Sequence, residues 1–211
     1  MTLSKRFGFG SGSNSKTLTT TKTLVAPRHT PQRNLVAKLT GTKDAVWTSA
    51  RHQPAISSRL LPGQRLNLES GLIELHFKTG ARVVVAGPAE LALGEEDQDL
   101  DQPNIAGFLE LGRLVAHVPA SAVGFTIQTP TALVTDLGPQ FGINIDTNGK
   151  MNLGVVNGTV EWGPLGTTRR SRVTAGQEVI VNAAGAQEDK QGSFTGQFVA
   201  CLLYTSDAAD E

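Results

Sequence analysis

The chain is short of most residues that announce a chemistry. Its one cysteine, Cys201, among 211 residues leaves no partner for a disulfide and too few thiolates for a cysteine-based metal site. Aromatic residues are only 5% of the chain, so the core must come from Leu, Val, Ile and Ala. Neither charge is in excess. Lys plus Arg number 19 and so do Asp plus Glu, which removes the electrostatic footprint of a nucleic-acid or anionic-membrane binder. No run of about 18 apolar residues reads as a membrane-spanning helix. Lys5 and Arg6 are followed by Gly, Ser, Asn and Thr, where a secretory signal needs an apolar stretch. Either the protein stays inside the cell or its export segment lies outside this sequence. Glycine, by contrast, is plentiful at 23 residues and has no collagen-like period, as many tight turns between short strands require.

Catalytic and metal signatures are missing too. His29, His52, His76 and His117 stand apart, in no His-x-His or His-Glu-x-x-His spacing. His76 and His117 fall at polar-face positions of strand-like runs and are read as solvent-facing. The acidic loop 94–104 carries Glu95, Glu96, Asp97, Asp99 and Asp101 but lacks the calcium-loop pattern, so it reads as a solvated insertion. There is no Gly-x-Ser-x-Gly elbow and no phosphate loop. Arg169, Arg170 and Arg172 form a small basic cluster, read as a solvated turn able to meet an acidic partner. Trp47 and Trp162 are assigned to core or half-buried packing. If exposed and adjacent, they would instead form a carbohydrate platform.

Residues 1–33 are rich in Ser, Thr, Gly and Lys and read as a disordered linker. Order is expected over 34–185, with 186–200 opening a following segment that is cut short. Residues 201–211, CLLYTSDAADE, resemble the translation of a transposase sequencing adapter and are expected to be an artefactual tail. Setting aside its three acids leaves 16 acidic against 19 basic residues.

Within 34–185 the punctuation is regular. Ile73, Leu75 and Phe77 alternate with Glu74, His76 and Lys78, the period of a half-buried strand. Residues 82–86 form a continuous β-branched run. Gly41, Pro62-Gly63, Thr79-Gly80 and Gly87-Pro88 read as breaks. Further strands are expected at 107–111, 113–118, 125–128, 132–136, 141–146, 151–156, 159–162 and 178–181. Asn148-Gly149 predicts a type I′ hairpin, and a second Asn-Gly follows at 157–158. No window shows helical period with caps. The fold class is therefore all-β, with short antiparallel strands in a sandwich or solenoid-like roll.

From Leu109 onward the chain resembles the FecR family. Leu109-Glu110-Leu111-Gly112-Arg113-Leu114 is followed by Phe125-Thr126-Ile127-Gln128-Thr129-Pro130-Thr131-Ala132. Then come Val134-Thr135-Asp136-Leu137-Gly138-Pro139-Gln140-Phe141 and Val155-Val156-Asn157-Gly158-Thr159-Val160. Leu61-Pro62-Gly63-Gln64, Gly71, Gly80 and Ala175-Gly176-Gln177 fit the family's turn spacing. The likeness covers about residues 34–182. Pro139 departs from it, standing where the family has Thr, and its missing N–H is expected to alter the pairing before Phe141. The motif residues Gly112, Phe125, Thr129, Pro130, Asp136, Gly138, Phe141 and Gly158 are expected to be structural. The resemblance implies the extracytoplasmic sensing domain of a transmembrane sigma-factor regulator. It implies no catalysis, cofactor or metal. It implies a protein partner in the envelope, no nucleic acid, and a tether to the inner membrane through a segment outside this chain. Partner contact is expected through sheet edges or a surface. The alternative is a non-signalling envelope binding or structural module, possibly carbohydrate-directed.

Overall fold

The computed structural model describes residues 35–49, 53–94, 105–188 and Phe198. The linker, His29, His52, the acidic loop and the 201–211 tail lie outside these residues. The chain divides into Met1–Gln32 and Arg33–Glu211, and every described residue belongs to the second unit.

Thirteen strands follow in chain order: β1 (Ala37–Trp47), β2 (Arg59–Leu60), β3 (Arg65–Phe77), β4 (Arg82–Leu93), β5 (Ile105–His117), β6 (Thr126–Gln128), β7 (Ala132–Asp136), β8 (Gln140–Ile145), β9 (Met151–Asn157), β10 (Thr159–Pro164), β11 (Ser171–Thr174), β12 (Glu178–Val181) and β13 (Gln187–Glu188). A 3-10 turn, Ala120–Ala122, precedes β6. The all-β reading holds, and among the described residues no helix is long and apolar enough to cross a membrane.

The long strands β1, β3, β4 and β5 pair antiparallel in the order β5-β4-β3-β1. All four are bent at one level. Register shifts fall between Lys43 and Val46, Leu68 and Leu72, and Ala86 and Glu90. Glycines permit the bend because the backbones there close on one another. A Cβ on Gly71 would stand 2.1 Å from the Asp44 carbonyl oxygen, one on Gly87 2.7 Å from the Ser70 Cα, and one on Gly112 2.5 Å from the Pro88 carbonyl oxygen. These are bulges, which bend a strand without ending it. The sequence reading therefore misplaced three turns. Gly41, Gly71 and Gly87-Pro88 lie inside continuous strands, because cross-strand pairing carries the chain through them.

At Gly112 the sheet forks. Before it, β5 pairs parallel with β6, from Ile105↔Thr126 to Phe108↔Gln128. After it, β5 pairs antiparallel with β8, from Gly112↔Ile145 to His117↔Gln140. One branch continues through β9, β12 and β13, the other through β7, β10 and β11. The branches share one apolar core, from Leu66 and Leu91 through Leu114 and Ile127 to Phe141 and Val160. Each fully buried aliphatic side chain contributes about 1.5–3 kcal/mol against exposure. The Thr129 hydroxyl meets the Met151 sulfur across this core at 3.7 Å. The result is an open, folded sheet of sandwich character.

Two turns differ from expectation. The 146–150 hairpin is present but is not type I′, because only Gly149 of its Asn-Gly pair takes a positive φ, at 76°. Asp146 closes the loop instead, its Oδ1 accepting from the N–H groups of Asn148 at 2.8 Å and Lys150 at 3.0 Å. Asn157-Gly158 makes no hairpin at all. It is a corner by which the chain leaves β9 in one branch and enters β10 in the other.

Candidate interaction site

The motif residues divide by position. Phe141 is fully buried between the branches, and Gly112 stands at the fork. Thr129 and Pro130 make the β6–β7 turn, where the buried Thr129 hydroxyl accepts from Ala132 N–H and donates to the Ala132 carbonyl, both at 3.0 Å. Pro130 is exposed at its tip. Gly138 and Gly158 are brought face to face. A Cβ on Gly138 would lie 2.8 Å from the Gly158 Cα, and one on Gly158 would lie 2.6 Å from the Pro139 Cδ. Pro139 loses nothing on the β5 side, since its carbonyl accepts from Val118 N–H at 2.9 Å. The irregularity expected before Phe141 appears on the other side, as a register shift between Gln140 and Phe141 against β9.

Phe125 and Asp136 are the motif residues nearest an opening in the surface. They are cross-strand neighbours: Asp136 N–H donates to the Phe125 carbonyl at 2.9 Å, and Gly124 N–H to the Asp136 carbonyl at 2.9 Å. Phe125 meets Phe77 edge to face, with ring centroids 5.0 Å apart. The two rings border a cleft of about 190 Å³ that Val36, Ala122 and Val123 also line, with Lys78, Thr79 and Ser121 as its polar side chains. Val123 is 55% exposed. Its lining includes two hydroxyls and one amine and, among the described residues, no histidine or carboxylate. Its shape and lining suit an apolar side chain of another protein.

Asp136 sits behind this cleft with its side chain fully buried. Oδ2 accepts from Gly138 N–H at 3.2 Å, and Oδ1 has no hydrogen-bond partner among the described residues. Burial pushes its pKa up to about 7, against a smaller lowering by the Gly138 hydrogen bond. In β7 Asp136 shares the buried face with Ala132 and Val134, and nothing in the composition marked an acid that would stay there.

Other candidates resolve in simpler ways. His76 and His117 are exposed, as expected. No group of three or more His, Cys, Asp or Glu side chains able to hold a metal occurs among the described residues. Trp162 is core and Trp47 is half-buried, so no paired platform exists. Trp47 borders a second cleft, of about 610 Å³, with Gln53, Gln64, Arg65 and Asn67. Arg65 is held by Glu110 at 3.1 Å. In the basic cluster, Arg170 folds back to donate to the Thr167 and Arg169 carbonyls, both at 2.9 Å, and Arg172 faces Glu161 at 3.6 Å. The edge strand β11 is a poor template for an added strand. It has four residues, and Thr174 exchanges its N–H and carbonyl with Gln177, each at 2.9 Å.

No protein-family model matches the chain, and no curated protein matches it. Two crystal structures of a candidate anti-sigma factor from Parabacteroides distasonis ATCC 8503, at 2.50 and 1.65 Å resolution, share the fold. Their TM-scores are 0.50 and 0.51, at 18% and 19% identity. The match covers 66% of this chain and 63–64% of those structures, so the chain spans under two thirds of their length.

Proposed function

We propose that this chain is the extracytoplasmic sensing domain of a FecR-type sigma-factor regulator, which acts through protein contact and carries no catalysis. The observation that supports this most is the shared fold with a candidate anti-sigma factor. The order of the motif from Leu109 to Val160 adds to it. Those residues occupy the fork, the β6–β7 turn and the Gly138–Gly158 corner, where backbone geometry is most demanding. In this reading the domain sits outside the inner membrane, joined to it by a segment beyond this chain. Its partner presents an apolar side chain to the Phe77–Phe125 cleft. Of the two expected modes of contact, sheet edge or surface, this reading takes the surface cleft, since the β11 edge is short and its last backbone groups are occupied.

The test is a reporter for the sigma factor encoded beside this gene. Expression of the complete reading frame should change reporter output. Val123→Glu should abolish the response to the partner at unchanged protein level, because an exposed site tolerates substitution within about 0.5 kcal/mol. Absence of any sigma-factor gene beside complete homologous loci would sink the proposal. The carbohydrate-directed alternative has less support, since burial of Trp162 removes half of the platform it needs.

A further inference from the structure

The sheet face opposite the core is also buried. In the branch containing β8, cross-strand pairing runs Leu72↔Ala86↔Arg113↔Asn144↔Asn152 in one row. The next row runs Glu74↔Val84↔Val115↔Gly142↔Gly154↔Glu178. Side chains in these rows point away from Ile73, Leu114, Ile143 and Leu153, which face the core. A sheet face turned to water would carry polar residues at such positions. Here Val84 and Val115 are fully buried, Ala86 is 5% exposed, and Gly142 and Gly154 are buried too. The two glycines are directly paired, and neither has a positive φ, so the strand backbone does not require glycine at either position. Their bare Cα atoms lower the floor of the row beside two branched side chains. Phe198 lies on this face. It is fully buried and packs with Val84, Ala86 and Val115, while Leu72 and Val156 flank the cluster.

We infer that this outer face is a docking groove for an aromatic anchor, and that Phe198 of the chain itself occupies it. Several observations converge on this occupant. The groove is apolar where the ring packs. It is bordered by half-buried polar residues, Glu74, Asn144 and Glu178, which suit the margin of a contact. Phe198 lies ten residues beyond β13, in the same compact unit as the sheet. The ring couples its segment to β4 and β5, with β3 and β9 at the edge of the cluster. This inference is independent of the proposed sigma-factor role.

Hydrogen exchange on the whole chain tests it. Phe198→Ala should speed exchange by roughly tenfold or more in 84–86, 113–116, 142–144 and 152–155. The other branch, 126–128, 132–136 and 160–162, should keep wild-type protection and so report that the domain is folded. Phe198→Leu should restore part of the lost protection. Ala86→Leu adds bulk beside the ring, and it should displace Phe198 and speed protease cleavage within 189–197 relative to the wild type. Unchanged exchange on the outer face in Phe198→Ala, or cleavage within 189–197 no faster in Ala86→Leu than in the wild type, overturns the inference.

Discussion

A few residues carry structural cost out of proportion to their size. Asp136 is the clearest. Its folded pKa, about 7, lies above the ordinary 3.8 because burial disfavours the charge. The folded state then holds a proton that the unfolded state releases, so stability falls as pH rises from about 4 through 7. Asp136→Asn should remove most of that slope and stabilise the domain by about 1–3 kcal/mol at pH 8, as read by urea unfolding. A variant with the wild-type slope would show that Asp136 is charged at neutral pH. Gly158 is the second such residue. It combines a φ of 85° with a backbone too close for a Cβ, so Gly158→Ala should cost about 2 kcal/mol or more. The sequence marked both residues by motif alone. It could not show that Gly158 faces Gly138, because twenty residues separate them.

At the scale of elements, alternation was a good guide and punctuation a poor one. The 73–77 alternation falls in β3 with Ile73, Leu75 and Phe77 buried, since a half-buried strand writes its period into the chain. Gly41, Gly71 and Gly87-Pro88 looked like turns because glycine and proline weaken any local segment. Whether such a residue ends a strand or bends it depends on neighbours far away in sequence. Asp44 and Ser70 hold the Gly71 and Gly87 bends, and no local pattern reveals them. The continuous 82–86 run did carry a message, that of a strand covered on both faces. Its cover, Phe198, lies more than a hundred residues away. Two substitutions probe this scale. Gly112→Ala places a methyl at the fork, where φ is 102°, and should lower the urea midpoint by an amount equivalent to about 2–4 kcal/mol. Asp146→Ala leaves two loop N–H groups without their acceptor and should cost about 1–2 kcal/mol, confined to the β8–β9 hairpin in hydrogen exchange.

For the whole molecule, the scarcities noted in the sequence fit a domain that works by contact. An apolar cleft closed by two phenylalanines and an outer groove filled by a third account for three of its eight phenylalanines. The all-β fold was legible from strand periodicity and turn residues. The cleft was not, because Val36, Phe77 and Phe125 come from three distant segments. The signalling account is tested most directly by sigma-dependent reporter output in cells that express the complete reading frame, with and without residues 35–188. The account predicts that removing the domain, or introducing Val123→Glu, changes output in response to the partner by roughly fivefold or more, at equal protein level. A protein without residues 35–188 that responds as the intact one does would contradict it.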